Sequence, residues 1–323
     1  DLISTGMSSL KAVAALRQAN VNVLGILTQN AEKVHTAFYI GTGKIQELAE
    51  MCRNMGADMV IFDLEDAVSP DEKDSARILV RNTLGYLDFS GLRTIVRINS
   101  VDTAYWMKDL DTILPMKPNV IMLPKSGTAD DVKLAASYIS KLESELGYPE
   151  NTVHLMPLIE TALGVENAFA IASASSRVEA IFLGAEDLTA DLRCKRTKEG
   201  REIEYARTRL VVAARAANVD VYDTPFTDVN DDEGIRIDTE HAKALGFTGK
   251  ASISPRHVDV INEVFSPSQK DIDYAYEVMD AIARANEQGR GAIALHGKMI
   301  DAPIVNRARQ TIAAAEELGL GKE

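Results

Sequence analysis

The stretch "MVIFDLEDAV", residues 59–68, places a run of four apolar residues directly before three carboxylates. The run from Met59 to Phe62 indicates a buried strand, and Asp63, Glu65 and Asp66 follow within four positions. Like charges this close repel one another, so they persist together only where a cation or water gathers them. The stretch therefore predicts a strand that ends at a polar site with a counter-charge nearby.

Short apolar runs rich in β-forming residues recur along the chain at roughly regular intervals. Helix-like segments lie between most of them, for example at residues 43–56, 129–147 and 202–218. Strands that alternate with helical patterns predict βα units and a parallel sheet. The apolar runs are "VNVLGILT" (21–28), "TAFYIG" (36–41), "DMVIFDLE" (58–65), "RTIVRIN" (93–99), "NVIMLPK" (119–125), "VHLMPLIE" (153–160), "EAIFLGAED" (179–187), "VDVYDTPF" (219–226) and "GKASISP" (249–255).

Without the first run eight strands remain, which is the number that closes a (β/α)8 TIM barrel. The alternative is an open, doubly wound sheet, in which ligands gather mainly at one switch point. The barrel is favoured because polar residues stand at the carboxyl ends of many different strands, where barrel active sites are built. These residues are Glu65, Arg97, Lys125, Glu160 and Asp187. We therefore predict an α/β chain with three parts: an extra N-terminal helix and strand at 1–37, the barrel at 38–260, and a C-terminal helical lid or arm at 261–323.

Two of the strand-end carboxylates, Glu160 and Asp187, form a candidate metal site. Each follows an apolar strand, so both would lie at the barrel mouth. Carboxylates, water and substrate oxygens suit Mg²⁺, which takes octahedral oxygen ligation at about 2.0–2.1 Å and usually keeps several waters. Zinc is disfavoured because no His or Cys stands beside them. The alternative is that the two are solvated loop carboxylates or helix N-caps.

Arg97 ends the strand "TIVRIN", and an arginine within a β-branched strand is rarely left unpaired. Its planar fork could hold a carboxylate or an enolate oxygen. The alternative is a structural ion pair with Asp66 or Glu65, and the two roles are compatible. Lys125 in "MLPKSG" could likewise bind an anion or form a salt bridge within the barrel.

Composition narrows the function class. The chain has 323 residues, 46% of them hydrophobic, with a net charge of −13 from 48 acidic against 35 basic residues. That balance argues against nonspecific binding to nucleic acid or to an anionic membrane. The two cysteines, Cys52 and Cys194, lack metal-type spacing and predict a reducing, cytoplasmic compartment.

From about residue 57 to the end, the chain resembles the citrate lyase beta subunit and its relatives, the citramalyl-CoA and malyl-CoA lyases of the HpcH/HpaI aldolase superfamily. Many separate motifs occur in the family's order, over more than three quarters of the sequence. The motifs are "VIFDLEDAVSPDEKDSAR" (60–77), "TIVRIN" (94–99), "MLPKSGTADDV" (122–132), "IETALG" (159–164), "LGAEDLTADLRCKRTKEGREIEYAR" (183–207), "DTPFTDVNDDEG" (223–234), "GFTGKASISPRHVDVIN" (246–262), "FSPSQKDID" (265–273) and "HGKMIDAPIVNRAR" (296–309).

The resemblance implies a TIM barrel with Mg²⁺ at Glu160 and Asp187. It implies that Arg97 holds the thioester or enolate oxygen. It also implies that Asp301, in "GKMIDAP", is the acid–base group, brought in by the C-terminal lid and, in relatives, often by a neighbouring subunit.

Further roles are implied for four more residues. Glu65 and Asp66 would order metal-bound water and Arg97, and Pro255 and Arg256 of "SPR" would lie near the pantetheine and phosphate arm. The implied substrate is a thioester of CoA or of an acyl carrier protein. The implied assembly is a homo-oligomer, a trimer or hexamer, with possible carrier-protein and transferase subunits.

Residues 1–62 resemble a different protein, the N-terminal domain of HflX-type ribosome-associated GTPases. The phrases that carry this resemblance are "SLKAVAALRQANVNVLGILTQ", "FYIGTGKIQELAEMCRNMGAD" and "MVIFD". Relatives of the lyase usually open with an Arg-rich lead into a strand that ends in Pro-Gly, which this chain lacks. The chain is therefore interpreted as a hybrid, natural or constructed, joined near "VIFDLEDAV".

The predicted reaction is the reversible cleavage of a citryl thioester to oxaloacetate and an acetyl thioester. The alternative within the same chemistry is a citramalyl-CoA or malyl-CoA lyase. The alternative of another class is a recombined barrel scaffold without catalytic activity, which the unusual first 62 residues motivate.

Overall fold

A parallel sheet of seven strands is the central element of the computed structural model. The structure describes residues 25–28, 37–40, 56–287 and 293–322. The strands β3 to β9 pair in parallel, each with the next in the chain. The strands are β1 (Gly25–Thr28), β2 (Ala37–Ile40), β3 (Met59–Asp63), β4 (Arg93–Arg97), β5 (Val120–Leu123), β6 (His154–Ile159), β7 (Ala180–Leu183), β8 (Asp220–Asp223), β9 (Gly249–Lys250), β10 (Ile293–Leu295) and β11 (Lys298–Ile300).

The predicted first barrel strand, at 36–41, is not part of the parallel sheet. It forms β2, which pairs antiparallel with β1 in a separate two-stranded sheet. A strand of four residues pairs readily with a neighbour close in sequence, because closing a short loop loses less entropy than a long crossover. The sheet within the described residues therefore has seven strands and not the eight predicted. The strand predicted within 1–37 is present as β1, and the helix predicted at 8–20 lies outside the described residues.

Helices follow most strands, as the alternating pattern predicts. The segments 129–147 and 202–218 form α3 and α7, whereas 43–56 lies outside the described residues apart from its last position. The helices are α1 (Lys73–Tyr86), α2 (Trp106–Ile113), α3 (Ala129–Leu146), α4 (Ala162–Glu166), α5 (Ala168–Ala172), α6 (Ala185–Asp191), α7 (Glu204–Ala217), α8 (Asp232–Leu245), α9 (Val258–Phe265), α10 (Gln269–Glu287) and α11 (Ala302–Glu317).

The ends of α3 show how local chemistry sets these boundaries. Thr128 accepts a hydrogen bond from the backbone N–H of Asp131, and the Asp131 side chain accepts one from the backbone of Thr128. This reciprocal pair satisfies two of the free N–H groups at the helix start. The helix ends at Gly147, whose φ of 71° suits a residue without a Cβ.

The strands β5 and β7 are buried along their whole length, as expected where both faces of a parallel sheet are covered. Apolar side chains from neighbouring strands pack together and fix the sheet on which the polar strand ends stand. This core cluster consists of Ile95, Val120, Met122, Met156, Leu158, Ala180 and Phe182.

The chain divides into two compact units, with the boundary between Asp259 and Val260. The second unit contains α10, α11 and the antiparallel hairpin of β10 and β11. Its own apolar cluster includes Val278, Ile300 and Val305. Within the described residues, no helix has both the length and the apolar character needed to cross a membrane.

Candidate active site

The carboxyl ends of β3 to β7 bring together seven charged side chains, here named the strand-end cluster. Because parallel strands end at the same edge of a sheet, residues far apart in sequence become neighbours there. Two of them, Asp63 and Arg97, are the last residues of β3 and β4 and stand opposite each other in the register. The strand-end cluster consists of Asp63, Glu65, Asp66, Arg97, Lys125, Glu160 and Asp187.

Arg97 binds Asp63 with both arms of its guanidinium group. Nε donates to Asp63 Oδ1 at 2.8 Å and Nη2 donates to Oδ2 at 2.5 Å. Burial alone would raise the pKa of Asp63, but this pair and two backbone N–H groups lower it below its usual value. The sequence prediction named Glu65 or Asp66 as the partner of Arg97. The contact with Glu65 is present, whereas Asp66 lies beside Lys125, and the prediction missed Asp63.

Glu65 links Arg97 to Lys125. Lys125 Nζ donates to Glu65 Oε1 at 2.6 Å, and Arg97 Nη1 lies 3.3 Å from Glu65 Oε2. Lys125 Nζ is also 3.6 Å from Asp66 Oδ1. Burial raises the pKa of Glu65, although the charges of Lys125 and Arg97 oppose that rise. The salt bridge predicted as one option for Lys125 is therefore present, and two cations hold the three acids of the opening stretch.

The loop after β3 is fixed by a buried lysine from α1. Lys73 Nζ donates to the carbonyl oxygens of Leu64 at 2.8 Å and Glu65 at 2.7 Å. Asn99 Nδ2 donates to the Leu64 carbonyl at 3.0 Å. These bonds hold the backbone of the loop, so the side chain of Glu65 is presented to Arg97 and Lys125.

Glu160 follows β6 and is almost fully buried, with 2% of its surface exposed. The backbone N–H of Lys125 donates to Glu160 Oε1 at 2.7 Å. Burial raises the pKa of Glu160 to about 8, and the charges of Glu65 and Asp187, with a side-chain hydrogen bond to Asp187, add to the rise. The carboxyl group is therefore buried close to two other acidic side chains.

The turn from β7 into α6 explains how Glu160 and Asp187 come to be adjacent. The helix α6 begins directly after Gly184, and Asp187 lies in its first turn. A Cβ atom at Gly184 would lie 2.7 Å from both Cβ and Oε2 of Glu160. Real Cβ atoms do not approach so closely, so a glycine is required where this turn passes the carboxylate of Glu160.

The donor set of Glu160 and Asp187 fits Mg²⁺. The two carboxyl groups would repel each other if both were ionised, which is reflected in the raised pKa of Glu160, and a cation bound between them would relieve that repulsion. Both supply oxygen ligands, and Mg²⁺ commonly binds one or two carboxylates while substrate and water fill its other positions. Within the described residues no group of three or more His, Cys, Asp or Glu side chains is arranged to hold a metal ion, so the candidate site rests on these two carboxylates.

The other predicted site residues come later in the sequence, after β9 and after β11. Asp301 belongs to the second unit and is exposed; its Oδ1 accepts a hydrogen bond from the Ile304 N–H at 3.2 Å and caps α11. Pro255 begins a short 3-10 helix after β9. Arg256 is exposed, and its Nη1 donates to Asn230 Oδ1 at 3.1 Å. The roles of Asp301, Pro255 and Arg256 therefore stay predictions.

A second set of charges, which the sequence reasoning missed, lies buried at the ends of β8 and β9. Arg207 donates to both oxygens of Asp223, at 3.0 and 2.8 Å, and to Asp238 Oδ1 at 2.7 Å. Lys250 Nζ lies 2.6 Å from an oxygen of each of the same two aspartates. Two positive and two negative groups balance, so this buried quartet has the character of a structural ion network.

Comparison with known proteins identifies close relatives of the chain. The sequence profile of the HpcH/HpaI aldolase/citrate lyase family matches residues 35–255. Citrate lyase subunit beta of Leuconostoc mesenteroides subsp. cremoris is 41% identical over 286 residues, which cover 88% of this chain and 95% of that protein. The profile match begins inside the segment that resembles the HflX-type domain, so the prediction of a hybrid has no support from the comparisons.

Two solved structures from Mycobacterium tuberculosis share the fold. Protein CitE in complex with magnesium, acetoacetate and coenzyme A is 30% identical, with a TM-score of 0.69 over 84% of this chain and 94% of that chain. A citrate lyase beta subunit complexed with oxaloacetate and magnesium is also 30% identical, with a TM-score of 0.57 over 69% of this chain and 93% of that chain.

Proposed function

Because the chain belongs to the HpcH/HpaI aldolase/citrate lyase family, we propose that it is a Mg²⁺-dependent carbon–carbon lyase that cleaves a citryl thioester to oxaloacetate and an acetyl thioester. The observation that carries the proposal is the placement of two carboxyl groups, Glu160 and Asp187, beside each other and near Arg97 at one edge of the sheet. A citrate lyase beta subunit of the same family binds oxaloacetate and magnesium, which are the product and the metal that this reaction requires.

Glu160 and Asp187 would hold the metal through carboxylate oxygens. Bound Mg²⁺ supplies a Lewis acid that polarises the oxygens of a hydroxy acid. The backbone N–H of Lys125 would help to orient the metal ligand Glu160, because it donates a hydrogen bond to one of its oxygens. Gly184 contributes by leaving room for the other oxygen.

Arg97 would stabilise the charge that grows on the thioester oxygen when the bond to the neighbouring carbon breaks. Its pKa is raised above its usual value, because the attraction of Asp63 and other carboxylates outweighs the effect of burial. The group therefore stays cationic, and Asp63 holds it in one orientation through two hydrogen bonds. A donor that is positioned before the charge develops gives the largest stabilisation.

Asp301 would accept the proton of the substrate hydroxyl group. As that proton leaves, the carbon–oxygen bond becomes a carbonyl and the electrons of the broken carbon–carbon bond pass to the thioester enolate. A proton added to the enolate carbon then completes the acetyl thioester. Asp301 is exposed at the start of α11 and is free of salt bridges within the described residues, which leaves its carboxylate available for this role.

Glu65 and Asp66 would order water at the metal and support Arg97, as Glu65 does through its contact with Nη1. Pro255 and Arg256 would lie along the pantetheine and phosphate arm, where the exposed guanidinium of Arg256, now 3.7 Å from Asp232 Oδ1, would exchange that contact for a phosphate. The C-terminal unit would act as the lid. The proposed setting is a cytoplasmic homo-oligomer, with an acyl carrier protein and transferase subunits as partners.

A cleavage assay with citryl-CoA tests the proposal directly. Oxaloacetate release that depends on Mg²⁺ is expected from the unmodified chain, and none is expected from Asp187→Asn, whose fold should be intact by circular dichroism. Near-normal turnover of Asp187→Asn with Mg²⁺ would refute the metal assignment. Absence of oxaloacetate release from the unmodified chain, with Mg²⁺ bound, would favour the non-catalytic alternative.

Rates on three thioesters separate the proposed substrate from its alternatives. We expect kcat/KM to be highest for citryl-CoA and lower for citramalyl-CoA and malyl-CoA. A higher value for either of the last two would reassign the substrate while leaving the site chemistry unchanged. A further gain on a carrier-protein thioester relative to citryl-CoA would indicate that a carrier protein delivers the substrate.

A further inference from the structure

The backbone of Lys125 adopts a conformation that is uncommon for a lysine. Its φ is 51°, in the left-handed region where the Cβ atom of an L residue is crowded. Glycine meets no such cost, so a lysine at this position needs a compensating reason. Strained residues of this kind often occur at functional sites, where the surrounding structure holds them in place.

In this left-handed conformation, Lys125 donates hydrogen bonds to two carboxylates that follow different strands. Lys125 follows β5, and its N–H points to Glu160 after β6, with a donor–acceptor distance of 2.7 Å. Its ammonium group reaches in the other direction, to Glu65 after β3, at 2.6 Å. Glu65 in turn contacts Arg97.

We propose that Lys125 is a positioning residue: its backbone N–H orients Glu160 for the metal, and its ammonium group holds Glu65 beside Arg97. One residue thereby joins the part of the strand-end cluster that would hold the metal to the part that would stabilise the enolate. This proposal rests on the function proposed above, and it assigns Lys125 no direct contact with the substrate.

The two contacts can be separated by substitution, because only one of them uses the side chain. Lys125→Gly keeps the N–H that bonds Glu160 and adopts a positive φ without steric cost, but it removes the ammonium group from Glu65. Lys117→Gly is the matched control. Lys117 has the same φ of 51°, is exposed, and lies before β5, at the opposite end of the strand from Lys125.

Lys125→Gly should lose turnover while it keeps Mg²⁺. We expect kcat to fall roughly 100-fold, the size of effect that a small displacement of an active-site group produces. The Mg²⁺ dissociation constant, measured by titration calorimetry, should stay within about threefold of the wild-type value or become tighter, since the donor to Glu160 remains and a nearby positive charge is gone. Lys117→Gly should change neither quantity.

A conservative variant and a structure complete the test. Lys125→Arg keeps a cation near Glu65 and should recover turnover to within about tenfold of wild type. A crystal structure of Lys125→Gly should show the Glu65 carboxylate displaced from its position beside Arg97. Loss of Mg²⁺ affinity in parallel with turnover would overturn the proposal, as would an unmoved Glu65 or wild-type turnover in Lys125→Gly.

Failure of this proposal and failure of the proposed function give different results. If the wild-type chain cleaves no citryl thioester, the proposed function fails. The Mg²⁺ titration and the position of Glu65 in Lys125→Gly still decide whether Lys125 positions the two carboxylates. If wild type is active and Lys125→Gly is equally active, only the role of Lys125 fails.

Discussion

Protons should compete with Mg²⁺ for Glu160. Burial, together with the charges of Glu65 and Asp187, raises the pKa of Glu160 to about 8. A carboxyl group must lose its proton before it ligates a metal, so binding at neutral pH should release that proton. Lowering the pH should therefore weaken Mg²⁺ binding well above the pH range in which an ordinary glutamate titrates.

The expected size follows from that pKa. Roughly nine tenths of the Glu160 carboxyl groups carry a proton at pH 7, so binding there should release roughly 0.9 proton per Mg²⁺. Between pH 8 and pH 6 the ionised fraction falls from roughly one half to roughly one hundredth. The apparent dissociation constant should therefore be roughly 50-fold weaker at pH 6 than at pH 8.

Titration calorimetry measures both quantities. Mg²⁺ is titrated at pH 6, 7 and 8 in two buffers of different ionisation enthalpy, and the difference in heat gives the number of protons released. Glu160→Gln is the matched control, since it keeps all five histidines of the chain but cannot ionise at position 160. A dissociation constant that is the same at pH 6 and pH 8, with no proton release, would refute the reasoning.

The same shift links stability to pH in the metal-free protein. The pKa of Glu160 is about 8 in the folded chain and near its ordinary value of 4.5 when unfolded, so the folded state binds the proton more tightly. The contribution of this group to stability should therefore decrease as pH rises from about 4.5 to about 8, by roughly 1 kcal/mol per pH unit. Urea unfolding at several pH values, with and without Mg²⁺, measures this pH dependence of the free energy of unfolding. Bound Mg²⁺ should reduce the decrease in stability at high pH.

Four substitutions test other parts of the site and fold. Gly184→Ala should weaken Mg²⁺ binding by roughly tenfold or more, because the new Cβ displaces Glu160; unchanged affinity in calorimetry would contradict this. Arg97→Lys should lower kcat roughly 100-fold, because lysine lacks the two-armed contact with Asp63, and a steady-state assay near wild-type rate would contradict it. Asp301→Asn should lower kcat by roughly 100-fold or more, because the amide cannot accept the substrate proton. Thermal stability should be unchanged, since Asn also caps a helix, and normal turnover would exclude Asp301 from the mechanism. Arg207→Met should lower the free energy of unfolding by about 3–5 kcal/mol in urea, because among the ion pairs of the described residues Asp223 and Asp238 would then share the single cation Lys250. A change below about 1 kcal/mol would show that the buried quartet contributes little.

Much of the site could be predicted from the sequence, because each of its residues follows a buried apolar run. Parallel strands end at one edge, so Arg97, Lys125, Glu160 and Asp187 had to be neighbours once the strands were assigned. The partner of Arg97 could not be predicted in the same way. Asp63 faces Arg97 because of the register between β3 and β4. A hydrophobicity pattern does not distinguish between three carboxylates in one short stretch, so it does not show which of them pairs with Arg97.

The number of strands in the sheet depends on pairing, which periodicity does not determine. The run at 36–41 has strand character, and the structure does form a strand there, but its partner is β1. A pattern of alternating residues shows that a segment is extended and says nothing about which edge it joins.

The buried quartet escaped prediction for a related reason. Arg207 and Asp238 lie on the helices α7 and α8, where isolated charges usually indicate a solvated face. Only the packing of the two helices against β8 and β9 shows that these side chains are enclosed and paired. Charge alone does not reveal burial, because a paired and an exposed arginine have the same sequence signature.

The quartet also bears on how the protein responds to heat. The energetic penalty for removing charged groups from water becomes smaller as temperature rises, so a balanced, enclosed ion network contributes relatively more in a warm solution. The packing of α7 and α8 against β8 and β9, which these four side chains join, should therefore loosen less on warming than contacts that contain no such network.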